Sequence, residues 1–177
     1  QAKSKLDVSS KSFQLIGYAS AEIAETTAAA ELTGLSGGAG NDVLLNTGGI
    51  SLALADNQPM AAALGNSASW NLIGVTHAEV VLAAQVAANG MAGGAGADMI
   101  LNLGTNIVGG PLGGVAMAKV DASGSSWTFG GTAGASTVAA AQTDSIGISG
   151  GDGNDWLANR GRLEITATAT LDSPSDA

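Results

Sequence analysis

The chain has 177 residues, which is enough for one domain with a buried core. Its 27 glycines lack a three-residue period and its hydrophobic content is 45%, so collagen and wholesale disorder are both excluded. Fifteen acidic against six basic residues give a net charge of -9, which argues against nucleic acid as a partner and attracts cations. No cysteine is present, which excludes disulfides and thiolate metal sites.

Small side chains dominate the composition, since only 3% of residues are aromatic. They predict thin layers packed closely together, as in a solenoid. The first residues carry no signal peptide, and no apolar run reaches the roughly 18 residues that span a bilayer. We therefore expect no membrane insertion, and we read the chain as a mature or excised segment of an extracellular or cell-surface protein.

The chain repeats itself with a fixed period of about 57 residues, which indicates a repeat architecture. An aromatic residue recurs at this interval, as Phe13, Trp70 and Trp127, and is predicted to lie in the core or to stack. Residues 5–13 match residues 119–127, so 1–12 are predicted to be the tail of a preceding unit. The repeats then run over approximately 13–69, 70–126 and 127–172 of a single domain, 1–177. The two end segments are expected to be complementary fragments of one repeat boundary.

An alanine-rich segment follows the aromatic in each repeat, at 20–33, 76–89 and 133–146. Thr76 and Glu79 would suit a helix capping box, so short helices are one interpretation. The third copy carries Ser136, Thr137 and Asp144, which disfavour a helix interior, so strand is preferred.

Alternating runs at 50–56, 115–121 and 163–172 predict half-buried strands. The predicted fold class is all-β, a parallel β-helix or β-solenoid of three repeats. A β-sandwich, or an α+β fold with short alanine-rich helices, is the alternative. Because strands usually have about 5–6 residues, three rungs of ~19 residues per repeat are favoured over two of ~28.

One phrase occurs three times, at 34–46, 90–102 and 147–159. Its glycines permit a tight turn, an aspartate follows, and the next residues are apolar and extended. A nonapeptide within each copy, at 37–45, 93–101 and 150–158, fits Gly-Gly-x-Gly-x-Asp-x-apolar-x. This pattern resembles the RTX (hemolysin-type) calcium-binding repeat, a parallel β-roll that holds Ca²⁺ between stacked turns.

The resemblance covers these three nonapeptides alone, and it implies Ca²⁺ as cofactor, bound by carboxylates and turn carbonyls. The implied ligand residues are Asp42, Asp98, Asp155, Asp152, Asn41, Asn154, Gly38, Gly40, Gly94, Gly96, Gly151 and Gly153. Family repeats run in tandem, whereas here each phrase stands alone. The third turn is the best candidate because Asp152 adds a carboxylate, and the second is the weakest because Ala97 replaces asparagine. Metal-free turns capped by aspartate are the alternative.

These features predict a secreted structural protein, a calcium-stabilised solenoid that assembles head to tail into a filament, sheath or surface layer. Its partners would be copies of itself, joined through terminal strands. A calcium-binding adhesin or secretion module of a larger exoprotein is the alternative. An enzyme is not expected, because the six Lys and Arg residues form no cluster with acidic ones. Trp156 is expected to be exposed, at an interface.

Overall fold

The computed structural model describes residues 4–52, 61–108 and 116–176. These residues form parallel β-sheets and no helix, so the predicted all-β solenoid is confirmed, and the alternative with alanine-rich helices is wrong. In the described ranges no helix is long and apolar enough to cross a membrane. The strands are β1 Ser4–Ala39, β2 Val43–Asn46, β3 Gly49–Leu52, β4 Ala61–Gly96, β5 Met99–Asn102, β6 Thr105–Val108, β7 Ala116–Gly153, β8 Trp156–Asn159, β9 Arg162–Ile165, β10 Ala167–Asp172 and β11 Ser175–Asp176.

Each repeat forms a single rung, which corrects the expectation of three shorter rungs per repeat. Every paired residue of β4 lies beside its equivalent in β7, one full repeat later, for example Trp70 beside Trp127. The sheets have the orders β1-β4-β7-β10, β2-β5-β8 and β3-β6-β9. The usual strand length misled the prediction, because β1, β4 and β7 are far longer than ordinary strands.

A one-residue irregularity distinguishes the first rung. The register between β1 and β4 shifts between Ile23 and Thr26, where Ile23 pairs with Val80 but Thr26 pairs with Leu82. One extra residue in β1 at this bulge accounts for the change. The same extra residue explains why Asp42 precedes Asp98 by 56 residues while Asp155 follows it by 57.

The long strands fold back on themselves at a sharp turn. Ser67 and Ser69 each donate a side-chain hydrogen bond, at 2.5 and 3.3 Å, to the carbonyls of Ala21 and Ala19 on the facing arm of the first rung. This facing pattern places the reversal at 72–73. At the apex, Leu72 is left out of the register, and pairing between rungs resumes at Ile73, beside Ile16 and Gly130, after the direction of the strand has reversed.

The core lies between the two facing arms. It is built from small and branched side chains, because the arms approach closely: a Cβ at Gly65 would lie 2.6 Å from the Leu82 side chain. The middle rung is the most buried, since a rung covers it on each side. Buried members of this cluster are Ile23, Ala28, Ala30, Ala61, Ala63, Val80, Leu82, Ala84, Val86, Ala88, Val108, Ala118, Val120 and Ala122.

The repeated aromatic residues stack, as predicted, but not in the core. The ring centroids of Phe13 and Trp70 are 5.0 Å apart, and those of Trp70 and Trp127 are also 5.0 Å apart. All three rings are exposed at the edge of the turn. The expected exposure of Trp156 is confirmed, at 51%.

The first and last segments of the described chain are equivalent rather than complementary, which corrects the sequence expectation. Ser4 pairs with Ala61, Ala61 with Ala118, and Ala118 with Ala169. Residues 4–11 and 169–176 therefore occupy the same place in the first rung and in a partial fourth rung. The physical reason is that one repeat is one rung, so the chain returns to its starting position once per repeat.

Candidate cation site in the stacked aspartate turns

The three glycine-rich turns lie directly above one another, because each repeat is one rung. Gly38, Gly94 and Gly151 have φ of 96°, 107° and 94°, a region that side-chain-bearing residues rarely adopt. Gly94 also has no room for a side chain, since the carbonyl oxygen of Gly38 fills the place of its Cβ. The wide separation of the phrases in sequence is therefore no obstacle to shared sites between turns.

The predicted aspartates form a column that runs through the three rungs. The Asp98 carboxylate accepts a hydrogen bond from the backbone N–H of Asp42, with Oδ1 2.8 Å from the nitrogen. The Asp155 carboxylate accepts the same bond, at 2.9 Å, from the N–H of Asp98. One oxygen of each of these two carboxylates is thus used to hold neighbouring turns together.

The second carboxylate oxygen has no partner at two levels of the column. Oδ2 of Asp42 and Oδ2 of Asp98 are both buried without a hydrogen bond, and Asp98 is only 2% exposed. A buried charge without a compensating partner is costly, so such groups are normally paired or coordinate metals. The unpartnered oxygens are therefore the atoms of these turns that could hold a cation.

A glycine outside the predicted ligand set makes room for each carboxylate. A Cβ at Gly37 would lie 2.9 Å from Oδ2 of Asp42, and a Cβ at Gly93 would overlap Oδ2 of Asp98. Gly150 stands in the same relation to Asp155. The first glycine of the motif thus leaves space for the carboxylate of the aspartate five positions later, a role that the sequence pattern alone does not reveal.

The other predicted ligands lie around the column rather than in it. Asn41 is exposed, and its side-chain oxygen accepts a hydrogen bond from the N–H of Ala97 at 2.9 Å. Asp152 and Asn154 are also exposed, and Asp152 is level with Ala95 of the neighbouring rung. The asparagine missing from the second turn is supplied by the first rung, and the aspartate of the second turn is more buried than that of the third.

An asparagine ladder lies beside the aspartate column. The Asn46 side chain donates to Asn102 at 2.7 Å, and the Asn102 side chain donates to Asn159 at 2.8 Å. Asn46 and Asn102 are buried. The sequence signal was available, because an asparagine follows each motif aspartate at the fourth position, but no role had been assigned to it.

The donor set suits calcium only if backbone oxygens take part. Within residues 4–52, 61–108 and 116–176, no three His, Asp or Glu side chains gather around a common point. The carboxylates form a line, one per rung, so a cation between two rungs would contact at most two of them. Ca²⁺ takes roughly six to eight oxygens, and glycine-rich turns can supply carbonyls for the remainder. The unpartnered Oδ2 atoms fit this chemistry.

Comparisons with protein families, with curated proteins and with solved structures find no match for this chain. The RTX-type pattern therefore remains a resemblance carried by the three nonapeptides. Function has to be argued from the stacked turns and the exposed surfaces.

Proposed function

We propose that this chain is a secreted structural protein, a solenoid subunit that assembles head to tail at the cell surface. The observation that carries the proposal is the stacking in register of three equivalent rungs. Each rung presents to the next the same strands, the same turn and the same side-chain columns. A surface that already binds a copy of itself within one chain is suited to bind another copy between chains.

Unpaired strand edges support this proposal. The outer edge of β1, β2 and β3 has no partner among the described residues. On the opposite side, β10 and β11 cover β7 only as far as Ser125, and the rest of that β7 edge is unpaired within the described ranges. Open edges of this kind are ready templates for strand addition, and a heterologous contact between them is open-ended.

Calcium is proposed to stabilise the assembly at the aspartate column. It would be held by Asp42, Asp98 and Asp155 with carbonyls of the adjacent glycine turns. Its contribution would be to compensate charges that are otherwise buried without partners. Folding and metal binding would then be linked, so that stability rises with the concentration of free Ca²⁺.

The experiment is sedimentation velocity of the purified chain over a range of concentrations, with Ca²⁺, with Mg²⁺ and with chelator, followed by electron microscopy. We expect calcium-dependent, concentration-dependent polymers visible as fibres or sheets. A stable monomer at high concentration under all three conditions would contradict the assembly. Polymers that form equally well in chelator would support the assembly and show that it does not depend on calcium.

A calcium-binding adhesin or secretion module of a larger exoprotein is the second candidate. The observation that favours it is the exposed apolar turn at the end of each rung, which a purely structural subunit does not require. A monomer that gains β-structure with Ca²⁺ in circular dichroism, and forms no polymer, would favour this second function over the first.

A further inference from the structure

The turn between the second and third strands of a rung carries a glycine in all three repeats. These glycines are Gly48, Gly104 and Gly161, and none of them has φ in the left-handed region. Gly104 has no room for a side chain, because the carbonyl oxygen of Gly48 fills the place of its Cβ. The carbonyl oxygen of Gly104 does the same at Gly161. In the second and third rungs, glycine is therefore required by the rung before it and not by backbone conformation.

Gly48 differs from the other two glycines, because no rung lies before it in the described chain. No atom of the described residues is within 4 Å of the place that its Cβ would take, and the residue is exposed. The close approach that requires glycine at the two later positions is thus absent here. A further rung, with its own carbonyl over Gly48, would account for this glycine in the way that the chain accounts for the other two.

The third rung offers the carbonyl that is missing beside Gly48. The Gly48 carbonyl accepts a hydrogen bond from the N–H of Thr105 at 2.8 Å. The Gly104 carbonyl accepts one from the N–H of Arg162 at 3.0 Å. Within the described ranges no backbone N–H reaches the carbonyl of Gly161. β10 and β11 pair with β7 alone, so they leave the turn between β8 and β9 open to a partner.

The asparagine ladder beside this turn ends with groups that match in the same way. The side-chain oxygen of Asn159 accepts from Asn102 at 2.8 Å, and the amide group of this exposed residue can donate in turn. The side-chain oxygen of Asn46 accepts from the N–H of Gly48 at 3.1 Å and has a second lone pair. A copy stacked on the third rung would therefore extend the ladder by one hydrogen bond, from Asn159 to Asn46.

We propose that two copies meet in one register, with residues 43–52 of one copy stacked on residues 156–165 of the next and the Gly161 carbonyl over Gly48. This contact, here called the joint, rests on the head-to-tail assembly proposed above and specifies how the copies meet. The partner is a second copy, because the open surface is shaped for an identical rung, with glycine against glycine and asparagine against asparagine. The joint repeats the contacts that already hold the three rungs of one chain together.

Gly48→Ala separates the joint from folding. In the single chain the new methyl group meets no described atom, so the free energy of unfolding should change little. Between copies the methyl group would overlap the Gly161 carbonyl. Under conditions in which the parent polymerises, we expect the concentration at half-maximal polymer to rise by about tenfold or more, as measured by sedimentation velocity.

Gly49→Ala is the matched control for this variant. A Cβ at Gly49 also meets no atom of the described chain within 4 Å. Its equivalents in the other rungs are Thr105 and Arg162, so side chains at this position are compatible with a neighbouring rung. Polymerisation of Gly49→Ala should therefore match that of the parent.

Disulfide formation tests the register without altering a glycine. Val43 and Trp156 pair with opposite sides of Met99, so within one chain they are roughly 9–10 Å apart, beyond the reach of a disulfide. In the joint they would be paired on adjacent strands, and both are exposed. We expect Val43→Cys/Trp156→Cys to form disulfides between copies during assembly. Val43→Cys/Ala158→Cys, which is two positions out of register, should form far fewer.

The outcomes distinguish the joint from the assembly itself. A parent chain that stays monomeric would overturn both. If the parent polymerises, equal polymerisation of Gly48→Ala would overturn the joint and leave head-to-tail assembly supported. Equal crosslinking of the two cysteine pairs would have the same meaning. If Gly48→Ala unfolds, the cysteine pairs decide the register, because both retain Gly48.

Discussion

At the residue scale, the first glycine of each motif and the aspartate five positions later form one structural unit. Gly93 has an ordinary backbone conformation, so its lack of a side chain is required by space and not by φ. The Asp98 carboxylate lies against it, and the Gly150 carbonyl approaches from the next rung. Gly93 therefore takes part in a close contact within its own rung, with Asp98, and in another with the next rung, through Gly150.

Gly93→Ala should lower the free energy of unfolding by about 2–4 kcal/mol, because the new methyl group would overlap Asp98 and backbone that cannot move independently. Gly48→Ala is the matched control: no atom lies within 4 Å of its added Cβ, so a change below about 1 kcal/mol is expected. Urea denaturation of both variants measures the difference. Similar effects at the two positions would show that the close contact at Gly93 is unimportant.

Asp98→Asn separates the hydrogen bond of this residue from its charge. The amide oxygen can still accept from the N–H of Asp42, while the buried uncompensated charge is removed. In chelator, we expect the variant to be more stable than the parent by about 1–3 kcal/mol. In calcium, the parent should gain stability and the variant should gain much less.

Thermal denaturation of Asp98→Asn and the parent chain, each with Ca²⁺, with Mg²⁺ and with chelator, provides the measurement. Asp152→Asn is the control, because this carboxylate is exposed and stands outside the column. If calcium does not change the thermal stability of the parent chain, the turns are metal-free and their aspartates only cap backbone N–H groups. An equal stabilisation of Asp98→Asn and of the parent by calcium would show that Asp98 does not bind the ion.

At the scale of the element, the asparagine ladder holds β2, β5 and β8 in register. Asn102 is its middle member, accepting from Asn46 and donating to Asn159. A slip of one residue would break both bonds and would exchange the inward and outward faces of these short strands.

Asn102→Ala should lower the free energy of unfolding by about 2–4 kcal/mol, because it leaves polar groups on two neighbouring strands without partners. Asn66→Ala, on an exposed part of β4, is expected to change stability by less than about 0.5 kcal/mol. Chemical denaturation compares the two. A loss at Asn102 no larger than at Asn66 would mean that water replaces the ladder at little cost.

The sequence was sufficient to predict which residues are equivalent between repeats. It was insufficient to predict the features that depend on how the two arms of a long strand face each other. Spacing alone identified Phe13, Trp70 and Trp127 as equivalent positions of the repeat, and Asp42, Asp98 and Asp155 as another equivalent set. It could not give the rung length, because periodicity does not reveal where a long strand reverses. The aromatic residues are predicted to lie in the core or to stack; they do stack, but the reversal two or three positions later leaves them at an exposed edge. The roles of Gly93 and Asn102 depend on contacts between rungs, which no single repeat contains.

At the scale of the whole molecule, the two end segments are equivalent, so in the proposed assembly they would compete for the same edge of β7. A second copy stacked on the third rung would lay its residues 4–11 where β10 and β11 now pair with β7. β10 is attached along one edge only among the described residues, and every one of its side chains is exposed. We therefore expect β10 and β11 to be displaced when a copy is added.

A disulfide between Thr170→Cys and Lys119→Cys tests this displacement. The two residues are paired on adjacent strands, a separation suited to a disulfide, and the chain has no other cysteine. We expect the oxidised variant to stop assembly and the reduced variant to restore it, as followed by sedimentation velocity. Thr170→Cys alone is the control. Assembly of the oxidised variant at the parent rate would exclude displacement while leaving assembly itself intact.

The aspartate column also gives the molecule a direction. The carboxylates of Asp98 and Asp155 each accept from the earlier rung. Within the described chain, Asp42 therefore begins the series with no N–H of an earlier turn to accept from, and Asp155 ends it with an N–H that no later carboxylate meets. A two-fold contact between identical ends would set acceptor against acceptor, or donor against donor. Only a contact between unlike ends continues the series, so any fibre built on this column would grow with a defined polarity, and its two ends should elongate at different rates.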